Sequence, residues 1–239
     1  MRGATLLTQT LPEKIAKTLA ERITAGAYRT GERLVEATLA KELAVSHGPI
    51  RDALRILHNA GLVTIHPYRG ANVTEFSERE IQELYQVRAA LVGLRARWLA
   101  EDSQREEVLS LVDKPIAQLA ALAKSSGTRE AYISAAISIS ETLTDRLSNR
   151  WLRTTLQALN LQTSRYTRMS FDSAERRQES ARAWKALLNA MREGKEELAQ
   201  KLATSQSLST RDAALRALRA ASKGHAIEPS RETVRAKKR

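Results

Sequence analysis

The sequence predicts a mainly α protein in two parts: an N-terminal winged helix-turn-helix of three helices plus a β-hairpin wing, and a C-terminal all-α helical bundle. Three observations predict it. Apolar residues recur at helical spacing along most of the chain. The clearest β-type pattern, two short runs around a turn, falls at 62–74. The 239 residues exceed one small module and suit two domains of ordinary size. The boundaries read as 8–76 for the winged helix, 77–221 for the bundle and 222–239 for a basic, disordered tail.

Taken in order, Ile15, Leu19 and Ile23 recur every four positions and predict helix one, which Gly26 and Gly31 interrupt. Leu34, Leu39, Ala40 and Leu43 mark a second short helix. Ser46 stands ahead of Ile50, Ala53, Leu54 and Leu57 as the N-cap of a third, and Gly61 closes it. Residues 62–65, the turn 66–70 and residues 71–74 read as strand, turn, strand. Beyond Phe76 the pattern is helical. Ser77 with Glu80, and Ser103 with Glu106, have capping-box spacing and predict two helix starts. The first of these helices carries Ile81, Leu84, Val87, Leu91, Leu94 and Trp98 as its apolar stripe, and the second runs to about Lys124 with Pro115 as a kink. Further helices are predicted over 128–147, 149–167, 173–193 and 195–221.

Composition narrows the function. Hydrophobic residues make up 42%, enough for real cores, while aromatics are 4%, so Leu, Ala, Ile and Val must fill them. The chain has no cysteine, which excludes disulfides and thiolate metal sites. It also has no apolar run long enough to cross a membrane, and its start lacks a secretion signal, so a cytoplasmic location is expected. The net charge of +12 points to a polyanionic partner, or else to a merely solvated basic surface. Residues 1–77 carry 10 basic and 7 acidic side chains, residues 78–220 carry 23 and 18, and residues 221–239 carry 6 and 2, so no segment owns the charge. The tail, ending Lys237-Lys238-Arg239, would add weak non-specific DNA affinity. The fold has to locate the DNA-binding face.

In a helix-turn-helix the second helix enters the major groove with its first turn against base edges. Here that turn is Ser46, His47, Gly48 and Arg51. Arg51 can fork onto a guanine or clamp a phosphate, Ser46 can cap the helix while touching phosphate, and Gly48 lets the backbone come close. Periodicity alone leaves open that Arg51 is only a surface residue of a capped helix. The wider string, Gly31-Glu32-Arg33-Leu34-Val35-Glu36, Leu39-Ala40, then Leu43 through Leu54, Leu57 and Gly61-Leu62-Val63, closely resembles the signature of the GntR family of bacterial regulators. The resemblance implies that 62–74 is the family's wing, with Arg69 and Gly70 at a tip that reaches the minor groove or its phosphates. The chain departs from the family at His47, where Arg is usual, and at Asp52, where Glu is common. His58 and His66 read as surface or packing residues.

Glu83 through Leu91 resembles the opening of the FCD-type effector domain, and the likeness extends thinly to about Leu215. In that family an Asp and three His usually hold a ligand-binding metal. Here the matching positions fall on Ala136, Ser140, Trp184 and Gln206, and the four His are His47, His58, His66 and His225. The expectation is therefore no metal and no cofactor. Two readings follow for the bundle. Either the effector, an organic acid or other metabolite, is held by Arg88 with Ser140 and Gln206 as hydrogen-bond groups, or Trp184 fills the cavity and the domain only dimerises. Arg88 could alternatively form a structural ion pair with Glu141. An enzyme is not expected, because no Gly-rich phosphate loop, nucleophilic Cys or His–carboxylate pair is present within one domain. The expected function is a sequence-specific DNA-binding transcription regulator of the repressor kind. Its expected partners are a double-stranded DNA operator, a small-molecule effector and a second copy of itself, with no membrane. The alternative is a ligand-independent regulator, or a nucleoid-type protein binding DNA by charge.

Overall fold

The computed structural model describes residues 9–67, 69–124 and 126–225. Thr8, at the expected start of the winged helix, Tyr68 of the expected wing turn and residues 226–239 of the expected tail lie outside the described residues. The chain divides into two compact units, one of Met1–Leu84 with Arg150–Arg165, the other of Tyr85–Asn149 with Tyr166–Arg239.

In the first unit α1 (Leu11–Ala25) opens on a capping box between Thr10 and Glu13. It packs its Ile15, Leu19 and Ile23 stripe against α3 (His47–Asn59). Between them lie β1 (Arg33–Leu34) and α2 (Glu36–Glu42). Leu34 is thus a strand residue rather than the start of the second helix. It is buried opposite Ala71 of β3 (Gly70–Val73), which also pairs with β2 (Val63–His66), giving a three-stranded antiparallel sheet of order β1-β3-β2. Leu34, Leu39, Ile50, Leu54, Leu57, Leu62, Val63 and Val73 join the α1 stripe in one core. Each large side chain so buried contributes about 1.5–3 kcal/mol.

The backbone turns between α2 and α3 at Ala44, which sits at φ 52 without being glycine. It leaves α3 at Gly61, φ +75, the left-handed residue that ends a helix. The first part of α7 (Arg150–Met169) belongs to this unit. Leu161 packs on the core, Gln162 donates to the Ala60 carbonyl at 3.1 Å, and Arg165 donates to the Tyr28 carbonyl at 2.8 Å.

The second unit is helical. Its elements are α4 (Glu78–Glu101) from Tyr85 onward, α5 (Arg105–Leu122), α6 (Arg129–Asp145), the end of α7, α8 (Ala174–Arg192) and α9 (Glu196–His225). α5 packs against α6 and α8, and α8 against α9. α4 meets α9 closely at Gly93, where a Cβ would stand 2.3 Å from Thr204 Oγ1. That close approach selects a small residue at this position. The inner stripe is Tyr85, Ala89, Val92, Ala96 and Leu99; of the expected stripe Ile81 is buried, whereas Val87 is 52% exposed and Leu84, Leu91, Leu94 and Trp98 are only half-buried. The Ser77–Glu80 box forms as expected: Ser77 N–H and Oγ each donate to Glu80 at 2.7 Å, and Glu80 N–H donates back at 3.2 Å. The Ser103–Glu106 box does not form. Gln104 occupies the N-cap without a side-chain bond, and Glu106 is taken by Arg192 of α8 at 2.9 and 3.0 Å.

Candidate nucleic-acid interface and effector site

The α3 helix divides its residues by spacing. Ile50, Ala53, Leu54 and Leu57 face the core, which leaves His47, Gly48, Arg51, Asp52 and Arg55 exposed on the other side. Ser46 stands at the N-cap position with an extended backbone, φ −74 and ψ 167, but its side chain makes no capping bond. Its expected capping role is therefore not realised, and its exposed hydroxyl is not committed to its own helix. Gly48 is not held small by internal packing, since a Cβ there would meet nothing within 4 Å. A glycine kept at an open position on this turn suits close approach of another molecule to the backbone. Free N–H groups and the positive end of the helix dipole add an anion preference at the same turn.

Arg51 is exposed and its Nη2 stands 3.2 Å from Oε2 of Glu36, the first residue of α2. At the wing, Arg69 donates its backbone N–H to His66 at 3.1 Å and is exposed together with Gly70. Two cations escaped the sequence reading. Arg55 lies one turn beyond Arg51 on the same outward face, a spacing that could have revealed it. Arg33 on β1 places its guanidinium 3.7 Å from where a Gly70 Cβ would be, a neighbourhood set by strand pairing across the sheet. His58 turns its Nδ1 to the Val63 carbonyl at 3.0 Å, a packing contact, and His66 pairs with Gly70 in the last strand pair before the wing turn.

The bundle places its expected residues differently from one another. Arg88 is buried on α4, donates to Ser207 Oγ at 3.0 Å and lies 5.7 Å over the Tyr85 ring. Ser140 on α6 is bonded by Arg95, whose Nη1 donates to the Ser140 carbonyl at 2.8 Å, to Ser140 Oγ at 3.2 Å and to Thr144 Oγ1 at 2.7 Å. Trp184 is buried on α8, and Gln206 is half-buried on α9 beside Ser207. Arg95 was not singled out by sequence, although a second basic residue two turns after Arg88 is a visible signal. Burial, then the charge of Arg88, pushes the Arg95 guanidinium down to about 9, and burial lowers Arg88 as well.

The metal site implied by the FCD resemblance does not fit these residues. Ala136 and Trp184 have no lone pair to offer at their positions, and Ser140 already holds a guanidinium, which would repel a cation. Among the described residues no three His, Cys, Asp or Glu gather to hold one.

Comparison with known proteins agrees with this fold. Residues 11–73 match the model described as bacterial regulatory proteins, gntR family, and residues 83–206 match the FCD domain. The chain is 28% identical over 135 residues to the uncharacterized HTH-type transcriptional regulator YdhC of Bacillus subtilis, covering 56% of this chain and 60% of that protein. It is 37% identical over 78 residues to the gluconate operon transcriptional repressor of the same organism, covering 33% of this chain and 32% of that one. The matches thus span less than two thirds of these relatives' length. Among solved structures, E. coli McbR/YncC superposes with a TM-score of 0.74 at 17% identity, over 87% of this chain and 99% of that one. A GntR regulator from Rhodococcus sp. RHA1 gives 0.67 at 22%, over 87% and 98%. Both show the shared fold. The chain belongs to the gntR family of bacterial regulatory proteins and carries an FCD domain.

Proposed function

We propose that the protein is a cytoplasmic, homodimeric, sequence-specific transcription regulator of the repressor kind whose operator binding responds to a small organic effector. The observation that carries the DNA-binding part is the N-terminal turn of α3, where Ser46, His47, Gly48 and Arg51 face solvent while the opposite side of the helix is core. Arg69 and Gly70 of the wing supply the second contact, on phosphates or in the minor groove. Protection mapping on genomic DNA tests this. Paired half-sites about one helical turn apart are expected, and uniform protection without sequence preference would favour the charge-only, nucleoid-type reading.

Two half-sites need two recognition helices, and each chain supplies one. The half-exposed stripe Val87, Leu91, Leu94 and Trp98 on α4 has the spacing of a helix-to-helix seam and supports pairing through the helical domain. Sedimentation should show a dimer at micromolar concentration. Leu94→Glu should convert it to monomer, and a wild-type monomer with and without DNA would defeat the reading. Arg88, Ser140 and Gln206 are the proposed effector contacts, with no metal taking part and Trp184 forming part of the wall. Under the second reading Trp184 fills the site, and Trp184→Ala would then create ligand affinity instead of reducing it.

A further inference from the structure

The sheet of the first unit turns one face to the core and the other outward. Leu34, Val63, Ala71 and Val73 are buried, so strand register puts Arg33, Asn72 and Thr64 in one row across the outer face, with Gly70 and His66 in the next row toward the turn. β1 is two residues long, yet its approach is tied firmly to β3. Gly31 N–H donates to the Val73 carbonyl at 3.0 Å, Val73 N–H donates to the Glu32 carbonyl at 2.9 Å, and Asn72 Nδ2 donates to the Gly31 carbonyl at 2.8 Å. Arg33 therefore leaves a fixed backbone. Its guanidinium runs along the diagonal to Gly70, with Nε and Nη2 each 3.7 Å from where a Cβ on that glycine would be. The nearby carboxylates are turned elsewhere: Glu32 accepts from the Arg29 N–H at 2.6 Å, Glu36 pairs with Arg51 at 3.2 Å, and Glu75 lies against Gly31. Among the described residues neither Arg33 nor Arg69 forms an ion pair, so two exposed cations without an internal counter-charge stand next to Gly70.

Resting on the DNA-binding reading of α3 and the wing, we propose that Arg33 is a further DNA contact, which clamps a backbone phosphate beside the groove that the wing tip enters. The planar fork of Arg meets a phosphate through two parallel N–H···O bonds, and the phosphate supplies the counter-charge that the fold withholds. Arg33 is set back one row from the turn, so its head lies along the flank of the wing rather than at its end. That is the place of the outer sugar–phosphate strand, whereas the base edges lie on the groove floor. Gly70 keeps this flank bare, because it puts no side chain between the guanidinium and an approaching strand. The role is positional: Arg33 adds affinity and fixes the seat of the wing without reading sequence.

The test uses the full chain and two duplexes, one carrying the site recovered by protection mapping and one of random sequence. Arg33→Gln should weaken binding to both by about two- to tenfold and leave their ratio within a factor of about two. It should also make the fall of log affinity with log salt shallower by about 0.9, the equivalent of one phosphate contact. Arg33→Lys keeps the charge and should recover most of the affinity and slope, and neither variant should shift the melting temperature. Site duplexes carrying a single neutral methylphosphonate then locate the contact. One position that costs the wild type affinity should cost Arg33→Gln nothing, while the other positions keep their effect. Unchanged affinity and slope in Arg33→Gln, or the same methylphosphonate profile in both proteins, would overturn the proposal and leave the assignment of α3 and the wing tip standing. A loss confined to the specific site that Arg33→Lys does not restore would overturn it too, by making Arg33 a reader of bases. A wild type that binds neither duplex would strike the DNA-binding reading itself, and the proposal with it.

Discussion

A single guanidinium and a single glycine decide most of what α3 does. Among the described residues Arg51 is anchored by Glu36 alone and is exposed, so its pair contributes little to folding, within about 0.5 kcal/mol. Arg51→Ala should therefore leave the unfolding midpoint nearly unchanged while weakening specific operator binding by about 1–3 kcal/mol, read by titration at fixed salt. An unaltered affinity would move the reading head elsewhere, with Arg55 the next residue to test. Gly61 controls the other end of the helix. At φ +75 a Cβ costs about 1–2 kcal/mol, and it would also stand 2.5 Å from Gln162 Nε2, displacing the bond to the Ala60 carbonyl. Gly61→Ala should lower unfolding stability by about 1–3 kcal/mol in urea. A Gln162→Ala background should reduce that loss, since the displaced bond is already gone.

At the scale of elements, two capping boxes of identical spacing had different fates, and the difference marks how far sequence reasoning reaches. Ser77 and Glu80 satisfy each other within one turn, so local spacing was enough. Glu106 is claimed by Arg192 from a helix 86 positions away, a contact that no window around Ser103 contains. The same limit explains β1, whose two residues become a strand only by pairing with β3. It applies to α4 too: local spacing points to Val87, Leu91, Leu94 and Trp98, but the face packed near Gly93 buries Ala89, Val92, Ala96 and Leu99. The helix-turn-helix and its outward residues were legible because their signals are local. Arg95 was not, since its role depends on Ser140 and Thr144 across the bundle. Ser77→Ala should destabilise the first unit by about 0.5–2 kcal/mol at neutral pH. The Ser77 hydroxyl and N–H hold Glu80 below the usual carboxylate range. That stabilisation is present above the ordinary carboxylate value and is lost as pH falls through the lowered one, so the gap between wild type and variant should narrow in acid. A gap that stays constant down to strongly acid pH would show that the carboxylate is not part of the cap.

For the molecule as a whole, charge and recognition are separable. The net charge of +12 is spread along the sequence, so the attraction to DNA is a property of the whole chain, whereas base discrimination is assigned to one turn of α3 and the wing tip. Residues 226–239 carry five basic and two acidic side chains and lie beyond the end of α9, which makes them the cleanest place to remove charge without touching a described helix. Each Lys or Arg on a phosphate releases counterions, which steepens the fall of log affinity with log salt by about 0.9 per contact. Deleting 226–239 should therefore weaken binding to operator and random duplex alike and make the salt slope shallower, by no more than about five units. The ratio of operator to random affinity should stay within a factor of about two, because contacts to phosphate position a protein without reading sequence. Binding measured across a salt series on both duplexes separates the two terms. A deletion that erased the ratio while Arg51→Ala preserved it would place discrimination in the tail and overturn the assignment of α3.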